Sequence, residues 1–186
     1  MKKINVIDFD KTLLPYDSFR KYILIFLRNK QSASHILPLL ILRKLRLLNS
    51  SVFKKRVIKL GRKVNNYNDK MKEFSDHLFA DIDDSIVEKV RSHTDSKTIN
   101  ILCTASPDDY AKHLAELLGW ECLASQLDSK KNHFVHMHGK RKVEAIKELY
   151  PEDKFRYNFA ISDSQSDEEL LKKFGVYKLT EKSFGE

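Results

Sequence analysis

Residues 6–13 read Val6-Ile7-Asp8-Phe9-Asp10-Lys11-Thr12-Leu13, and this octet decides the fold. An apolar run ends in two carboxylates two positions apart, followed by a hydroxyl at Thr12. In an extended chain, side chains at i and i+2 share one face. In a buried parallel strand both acids then emerge at the carboxyl end, where open α/β sheets place their ligands. Two close carboxylates repel, so they persist most easily around a cation or as an acid/base pair. The competing reading is an acidic turn without chemistry, and three further segments bear on the choice.

Outward from the octet, Lys3–Phe9 is expected to form a buried strand. The pattern then turns helical as far as Phe79, with no strand-like run. Asp17 is a candidate N-cap for a helix through Leu27, Ser32 or Ser34 for one through Leu48, and Ser50 or Ser51 for one toward Val64. Asn68 or Asp69 could cap a helix through Phe79, and a further helix is expected over Asp84–His93. Beyond it the rhythm is strand, helix, strand. Thr98–Cys103 is a strand, Pro107–Leu118 a helix, Trp120–Ala124 a short strand, and Gln126–His138 a hairpin or loop. Lys140–Leu149 is a helix, Arg156–Ile161 a strand, Ser166–Phe174 a helix, and Val176–Leu179 an edge strand. This alternation predicts an α/β fold, a three-layer, mostly parallel, Rossmann-like sheet. The expected division is a core of residues 1–15 and 85–186, with residues 16–84 inserted as an all-helical cap.

The second segment is Leu102-Cys103-Thr104-Ala105-Ser106-Pro107, again at a strand end. Pro107 suits the first helical position and Ser106 its N-cap. A phosphate near Thr104 would meet a hydroxyl, backbone N–H groups of Ala105 and Ser106, and the positive end of a helix dipole. An ordinary capped helix is the alternative. The third is Gly139-Lys140-Arg141-Lys142-Val143-Glu144-Ala145-Ile146. Val143, Ile146 and Leu149 share a helical face expected to meet the core. Three cations in a first turn oppose the macrodipole, so either an anion is held nearby or the turn is simply solvated. The fourth is Ile161-Ser162-Asp163-Ser164-Gln165-Ser166-Asp167. Hard oxygen ligands at two strand ends describe a magnesium site that keeps several waters and a substrate phosphate.

Taken in order, the four segments are Asp-x-Asp-x-Thr, a strand-end Thr, a Lys opening a helix, and Asp-x-x-x-Asp. This set resembles the haloacid dehalogenase superfamily of phosphotransferases. The helical insert after the first segment is similar to the subgroup that includes phosphoserine phosphatase and phosphatidylglycerophosphatase-like enzymes. The resemblance covers essentially the whole chain and implies a Mg²⁺-dependent phosphatase acting on a phosphate monoester. By it, Asp8 is the nucleophile that carries an aspartyl-phosphate. Asp10 is the general acid/base, with its carbonyl oxygen on the metal. Thr104, Ala105, Ser106 and Lys142 bind the phosphoryl group, with Lys140 competing for the lysine role. Asp163 ligates magnesium, Asp167 ligates it or orients its waters, and Thr12 supports the loop. Ser162 stands where this family usually has Gly, and Lys11 where Gly is common.

Composition bounds what remains. The 186 residues are 41% apolar with five Gly and four Pro, as expected of a folded chain. Cys103 and Cys122 are expected as buried, reduced thiols, which with the absence of a signal-peptide pattern after Met1-Lys2-Lys3 points to a cytoplasmic protein. The longest uncharged apolar-rich run, Gln31–Leu42, is 12 residues, too short to span a bilayer. Residues 20–72 hold fifteen Lys/Arg and one acid, a balance of +14 within a net charge of +8. That basic insert leaves four readings: steering a small phosphorylated metabolite, binding an anionic membrane or lipid phosphate, binding nucleic acid, or a solvated face. No motif organises its aromatics (Phe19, Tyr22, Phe26, Phe53, Tyr67) for nucleic acid, the least favoured partner. The leucine-rich stretch Ile36–Leu48 fits either a helix buried in the insert or a basic surface that reads lipid. His133, His136 and His138 are expected in a hairpin near the site mouth, a transition-metal site being the alternative. A non-catalytic binding module and a phospho-acceptor domain are the competing function classes, and Asp10 argues against the second because it supplies a base for dephosphorylation.

Overall fold

The computed structural model describes residues 1–28 and 30–179, without the side chains of Lys30 and Gln31. Six strands form one sheet in the order β4-β3-β2-β1-β5-β6, with β1 Lys2–Ile7, β2 Thr98–Pro107, β3 Glu121–Asp128, β4 His133–Val135, β5 Phe155–Ser162 and β6 Val176–Leu179. All pairings are parallel except β3–β4, which is the expected hairpin. The edge strand β6 has the expected bounds.

Both faces of the central strands β1, β2 and β5 are covered, so their apolar residues are not confined to alternate positions. Ile4, Val6, Ile101, Cys103 and Ala160 pack on one face against Val143 and Ile146 of α7 (Lys140–Leu149) and Leu170 and Leu171 of α8 (Glu168–Leu171). Ile7, Leu102, Phe159 and Ile161 face the other way, toward Val87 and Val90 of α5 (Asp84–Ser92) and Tyr110, Ala111 and Leu114 of α6 (Asp108–Leu118). On that side Asn5, fully buried, bonds Asn100 and Asn158 on the two neighbouring strands at 2.9 Å each, so no amide is left unpaired across the sheet.

Between β1 and α5 the described residues form four α-helices: α1 Ser18–Leu27, α2 Lys30–Lys44, α3 Ser50–Gly61 and α4 Tyr67–Ala80. Phe19, Tyr22, Phe26, Phe53, Val57, Met71 and Phe74 fill their interior, continuous with the core under α6. Asp17 caps α1 as expected, accepting from the N–H groups of Phe19 and Arg20. Three other caps differ. Asn49, not Ser50 or Ser51, caps α3 by accepting from Val52 N–H at 2.8 Å. Helix α4 begins at Tyr67, before Asn68 and Asp69, after Asn66 takes a left-handed conformation. Pro107 occupies the cap of α6, because β2 continues to pair Pro107 with Ser125 and keeps Ser106 in the strand.

Other boundaries shift as well. Strand β1 stops at Ile7, and Phe9 opens a wide helical turn, Phe9–Leu13. Helix α2 starts before Ser32 and ends at Lys44 rather than Leu48. The expected Ser166–Phe174 helix is a turn over Gln165–Asp167 followed by the four residues of α8. Leu149 is exposed, and Tyr150 takes the buried position instead. Cys103 is buried and Cys122 only partly so; both are free thiols. Among the described residues no helix is long and apolar enough to cross a membrane.

Candidate functional site

The first octet builds the floor. The Asp8 N–H donates to Ile161 O of β5 at 2.9 Å, so sheet pairing holds the chain right up to the acid. The following turn closes through Leu14 N–H to Phe9 O at 3.0 Å, with Phe9, Thr12 and Leu13 buried beneath it. Closing so tightly forces Lys11 to φ 59°, a left-handed conformation that costs a non-glycine residue about 1 kcal/mol. The turn carries Asp10 away from Asp8. Its carboxylate accepts from Ser18 N–H at 2.6 Å and from Ser106 Oγ at 2.5 Å. Ser18 Oγ in turn bonds Ser106 Oγ (3.1 Å) and Tyr110 Oη (2.9 Å), so Asp10 is held from α1, β2 and α6 at once.

Thr12 joins this turn to the end of β5, since its buried hydroxyl accepts from Asp163 N–H at 2.9 Å. Lys142 rises from the first turn of α7, 3% exposed, with its Nζ 2.7 Å from Asp8 Oδ1 and 2.6 Å from Asp167 Oδ2. Lys140 is exposed on the surface. Ser162 Oγ donates to the same Asp167 oxygen at 2.8 Å, and the other, Oδ1, is buried without a hydrogen-bond partner.

Electrostatics follow from burial and these contacts. Burial would discharge the Lys142 ammonium, but the Asp8 and Asp167 carboxylates outweigh it and hold the pKa above its ordinary value. Burial pushes the Asp10 carboxyl up to about 6, and Asp17 adds to the rise, while the bonds from Ser106 and Ser18 oppose it. Asp163 is also raised to about 6, by burial and then by the Asp8 carboxylate against which it lies.

Asp8, Asp10, Thr104, Ala105, Lys142, Asp163 and Asp167 border one cavity of about 340 Å³, with Lys11, Asp17, His138, Ser164 and Ser166 completing its wall. Residues from four separate segments are thus brought together. Ser106 is not among them: it is fully buried behind Asp10, and its N–H is taken by Thr104 Oγ1 at 3.0 Å. The predicted role of Ser106 at a phosphate is therefore corrected to a hydrogen-bond donor to Asp10. His138 reaches the rim near Ser166, while His136 stacks on it and stays neutral, its pKa lowered to about 4 by burial, Lys54 and His138.

Two contributors have no signal in the sequence. Ser18 looks like any first helical residue. Lys54, one cation among fifteen, donates from α3 to Ala105 O at 2.9 Å, and burial lowers its pKa against the pull of Asp10, Asp17 and Asp8.

The donors fit a hard divalent cation. Asp8 and Asp163 set two carboxylates side by side, an arrangement that costs energy until a cation lies between them. Among the described residues no three side chains of His, Cys, Asp and Glu enclose a metal. Magnesium suits such a sparse set, because it keeps several of its waters. The lone Asp167 Oδ1 is a ready acceptor for one of them.

The fold is shared with solved structures of low sequence identity. A protein of unknown function from Bordetella pertussis Tohama I is 16% identical with a TM-score of 0.72, over 92% of this chain and 87% of that one. A phosphoserine phosphohydrolase-like protein from Francisella tularensis subsp. tularensis SCHU S4 is 18% identical with a TM-score of 0.59, over 93% and 83%. A phospho-aspartyl intermediate analogue of phosphoserine phosphatase is 15% identical with a TM-score of 0.56, over 95% and 85%. No curated protein matches the sequence. Residues 6–172 match the family model of the haloacid dehalogenase-like hydrolases, a span containing all four segments, and the chain belongs to that family.

Proposed function

We propose that this hydrolase cleaves a phosphate monoester through a covalent aspartyl-phosphate on Asp8. One observation carries the reading: Asp8 stands in an open cavity with Oδ1 bound to a buried ammonium, opposite an Asp10 carboxyl poised near 6. Asp8 attacks phosphorus as the ester P–O bond breaks, and the departing alkoxide takes the Asp10 proton. Asp10, now a carboxylate, accepts a proton from water as the water oxygen attacks phosphorus. The bond to Asp8 then breaks, releasing inorganic phosphate and restoring both acids.

Lys142 balances charge on the equatorial phosphoryl oxygens, and Thr104 with the Ala105 backbone positions them. Asp167 orients Lys142 and offers Oδ1 to a water. Magnesium, held by Asp8, Asp163 and the Asp10 carbonyl, would neutralise the two adjacent carboxylates and the phosphate charge. We read residues 16–84 as a cap over the core of 1–15 and 85–186, with Lys54 carrying its contact to the phosphate loop. A small phosphorylated metabolite suits a cavity of this size, and two free thiols suit a reducing cytoplasm.

The test is hydrolysis of an aryl phosphate with Mg²⁺. Turnover stops with chelator and in Asp8→Asn, and acid-quenched enzyme yields a phosphorylated peptide containing Asp8. Full turnover by Asp8→Asn would overturn the nucleophile assignment.

A further inference from the structure

Surface helices ordinarily turn apolar residues inward and polar ones out. Helix α2 is apolar on both sides. Ile36 and Leu39 are buried in the helical block, while Leu37 and Ile41 on the opposite side are 51% and 59% exposed. Leu45 continues the line at the same four-residue spacing, with its N–H on Ile41 O at 2.9 Å. Leu45 and Leu47 are 62% and 69% exposed.

The exposure is built into an ordered helix end. Leu47 N–H bonds Leu42 O at 2.9 Å and Arg46 N–H bonds Arg43 O at 3.1 Å, the Schellman pattern, with Arg46 in the left-handed conformation. Arg43, Lys44 and Arg46 surround this apolar end, and among the described residues none of the three is in an ion pair. Arg56 and Lys59 of α3, with Lys63 just beyond its end, line a hollow on the flank of α2. No acidic residue occurs between Asp17 and Asp69.

We infer that the outer face of α2 docks on an anionic lipid bilayer, with Leu37, Ile41, Leu45 and Leu47 entering the headgroup boundary and Arg43, Lys44 and Arg46 pairing with lipid phosphates. Both halves of the feature then find a partner, because leucines leave water while the long cationic side chains stay at the polar level. A second copy using the same face would set the three cations against themselves, since a two-fold interface pairs like patches. Nucleic acid would satisfy the cations and leave the leucines in water. At 15 residues α2 lies along a membrane plane and is too short to cross it. The inference rests on no part of the phosphatase reading.

The test is sedimentation of the full chain with vesicles of phosphatidylcholine alone, or of equal parts phosphatidylcholine and phosphatidylglycerol. The protein pellets with the anionic vesicles and is released by salt. A triple variant, Arg43→Gln with Lys44→Gln and Arg46→Gln, lowers partitioning at least tenfold, since each cation near an anionic surface is worth about a fivefold change. Leu37→Ser with Ile41→Ser lowers it comparably at unchanged charge. Should that pair unfold, Leu45→Trp replaces it: its emission shifts to the blue with anionic vesicles, while wild type, with Trp120 alone, does not change. The inference is overturned by absent binding, by equal binding to neutral vesicles, by full binding of the serine variant, by an unshifted Leu45→Trp, or by a vesicle-free dimer abolished by the serine changes.

Discussion

Lys142 and Asp8, 134 residues apart in the chain, meet at 2.7 Å, and the same ammonium holds Asp167 at 2.6 Å. One buried cation thus ties the end of β1 to the Gln165–Asp167 turn that follows β5. Removing it leaves two carboxylates facing each other in a largely dry environment. Lys142→Met is expected to destabilise the chelator-treated protein by about 3–5 kcal/mol, the cost of breaking one side of a buried ion network. Adding Asp167→Asn recovers part of that stability but none of the turnover, because the phosphoryl group still lacks its cation. Urea unfolding and aryl phosphate hydrolysis read the two effects separately. A Lys142→Met protein as stable as wild type would show that the pair holds nothing together.

Asp10 separates two kinds of substrate. An alkyl phosphate releases a strongly basic alkoxide that needs a proton, whereas an aryl phosphate releases a phenolate that does not. Asp10→Asn is expected to slow alkyl phosphates by roughly 10²–10⁴ in the first step. For the aryl phosphate that step survives and the deficit moves to dephosphorylation, so phosphorylated Asp8 accumulates. Rapid-quench comparison of the two substrate classes checks this; equal losses without accumulation would remove Asp10 from both proton transfers.

The features legible in the sequence were those where chemistry overrides the ordinary rules of burial. Acids ending an apolar strand at Asp8 and Asp163, and a lysine opening a helix at Lys142, are locally unfavourable and therefore conspicuous. The amphipathic helix α7 was also legible, to the residue. What failed was choice among equivalents. Asn49, Ser50 and Ser51 can each cap a helix, and only the inward packing of Phe53, Val57 and Ile58 selects Asn49. Ser106 before Pro107 has the look of a cap, yet strand pairing with β3 overrode it and turned the hydroxyl to Asp10. Lys54 was invisible because its role depends on where α3 lies, which no local pattern encodes. The two positions without the family's usual glycine have separate physical accounts. Lys11 accepts a left-handed backbone, and Ser162 uses its hydroxyl on Asp167.

Asp108 gives a pH signature remote from the phosphate cavity. Burial, and then the charge of Asp109, raise its carboxyl to about 6, although Arg62 lies 3.6 Å away. The folded pKa is above the unfolded value near 3.8, so the native state takes up this proton first as pH falls. The penalty for its charge is fully present above about 6, shrinks between about 6 and 4, and is absent below. Asp108→Asn is therefore expected to be more stable than wild type at neutral pH, with the advantage vanishing toward pH 4. Melting curves across that range check it, and an advantage that grows on acidification would contradict the sign.

Gly61 tests whether the helical block is tightly fitted. A Cβ there would lie 2.7 Å from Tyr22 Oη and 3.1 Å from the Phe26 ring, both buried on α1. Tyr22 cannot simply withdraw, because its hydroxyl bonds Tyr67 of α4 at 3.0 Å and its ring packs against Phe19, Phe26 and Tyr110. At the next residue, Arg62 is fixed to Asp109 of α6 by bonds of 2.7 and 3.0 Å, so α3 cannot slide away either. Gly61→Ala, which elsewhere in a helix would be favourable, is expected to cost about 1–3 kcal/mol through overpacking. Tyr22→Phe in the same chain removes the contacted oxygen and recovers part of the loss, a coupling that a double-mutant cycle in urea measures. Strictly additive effects would mean that α1 and α3 have room to part.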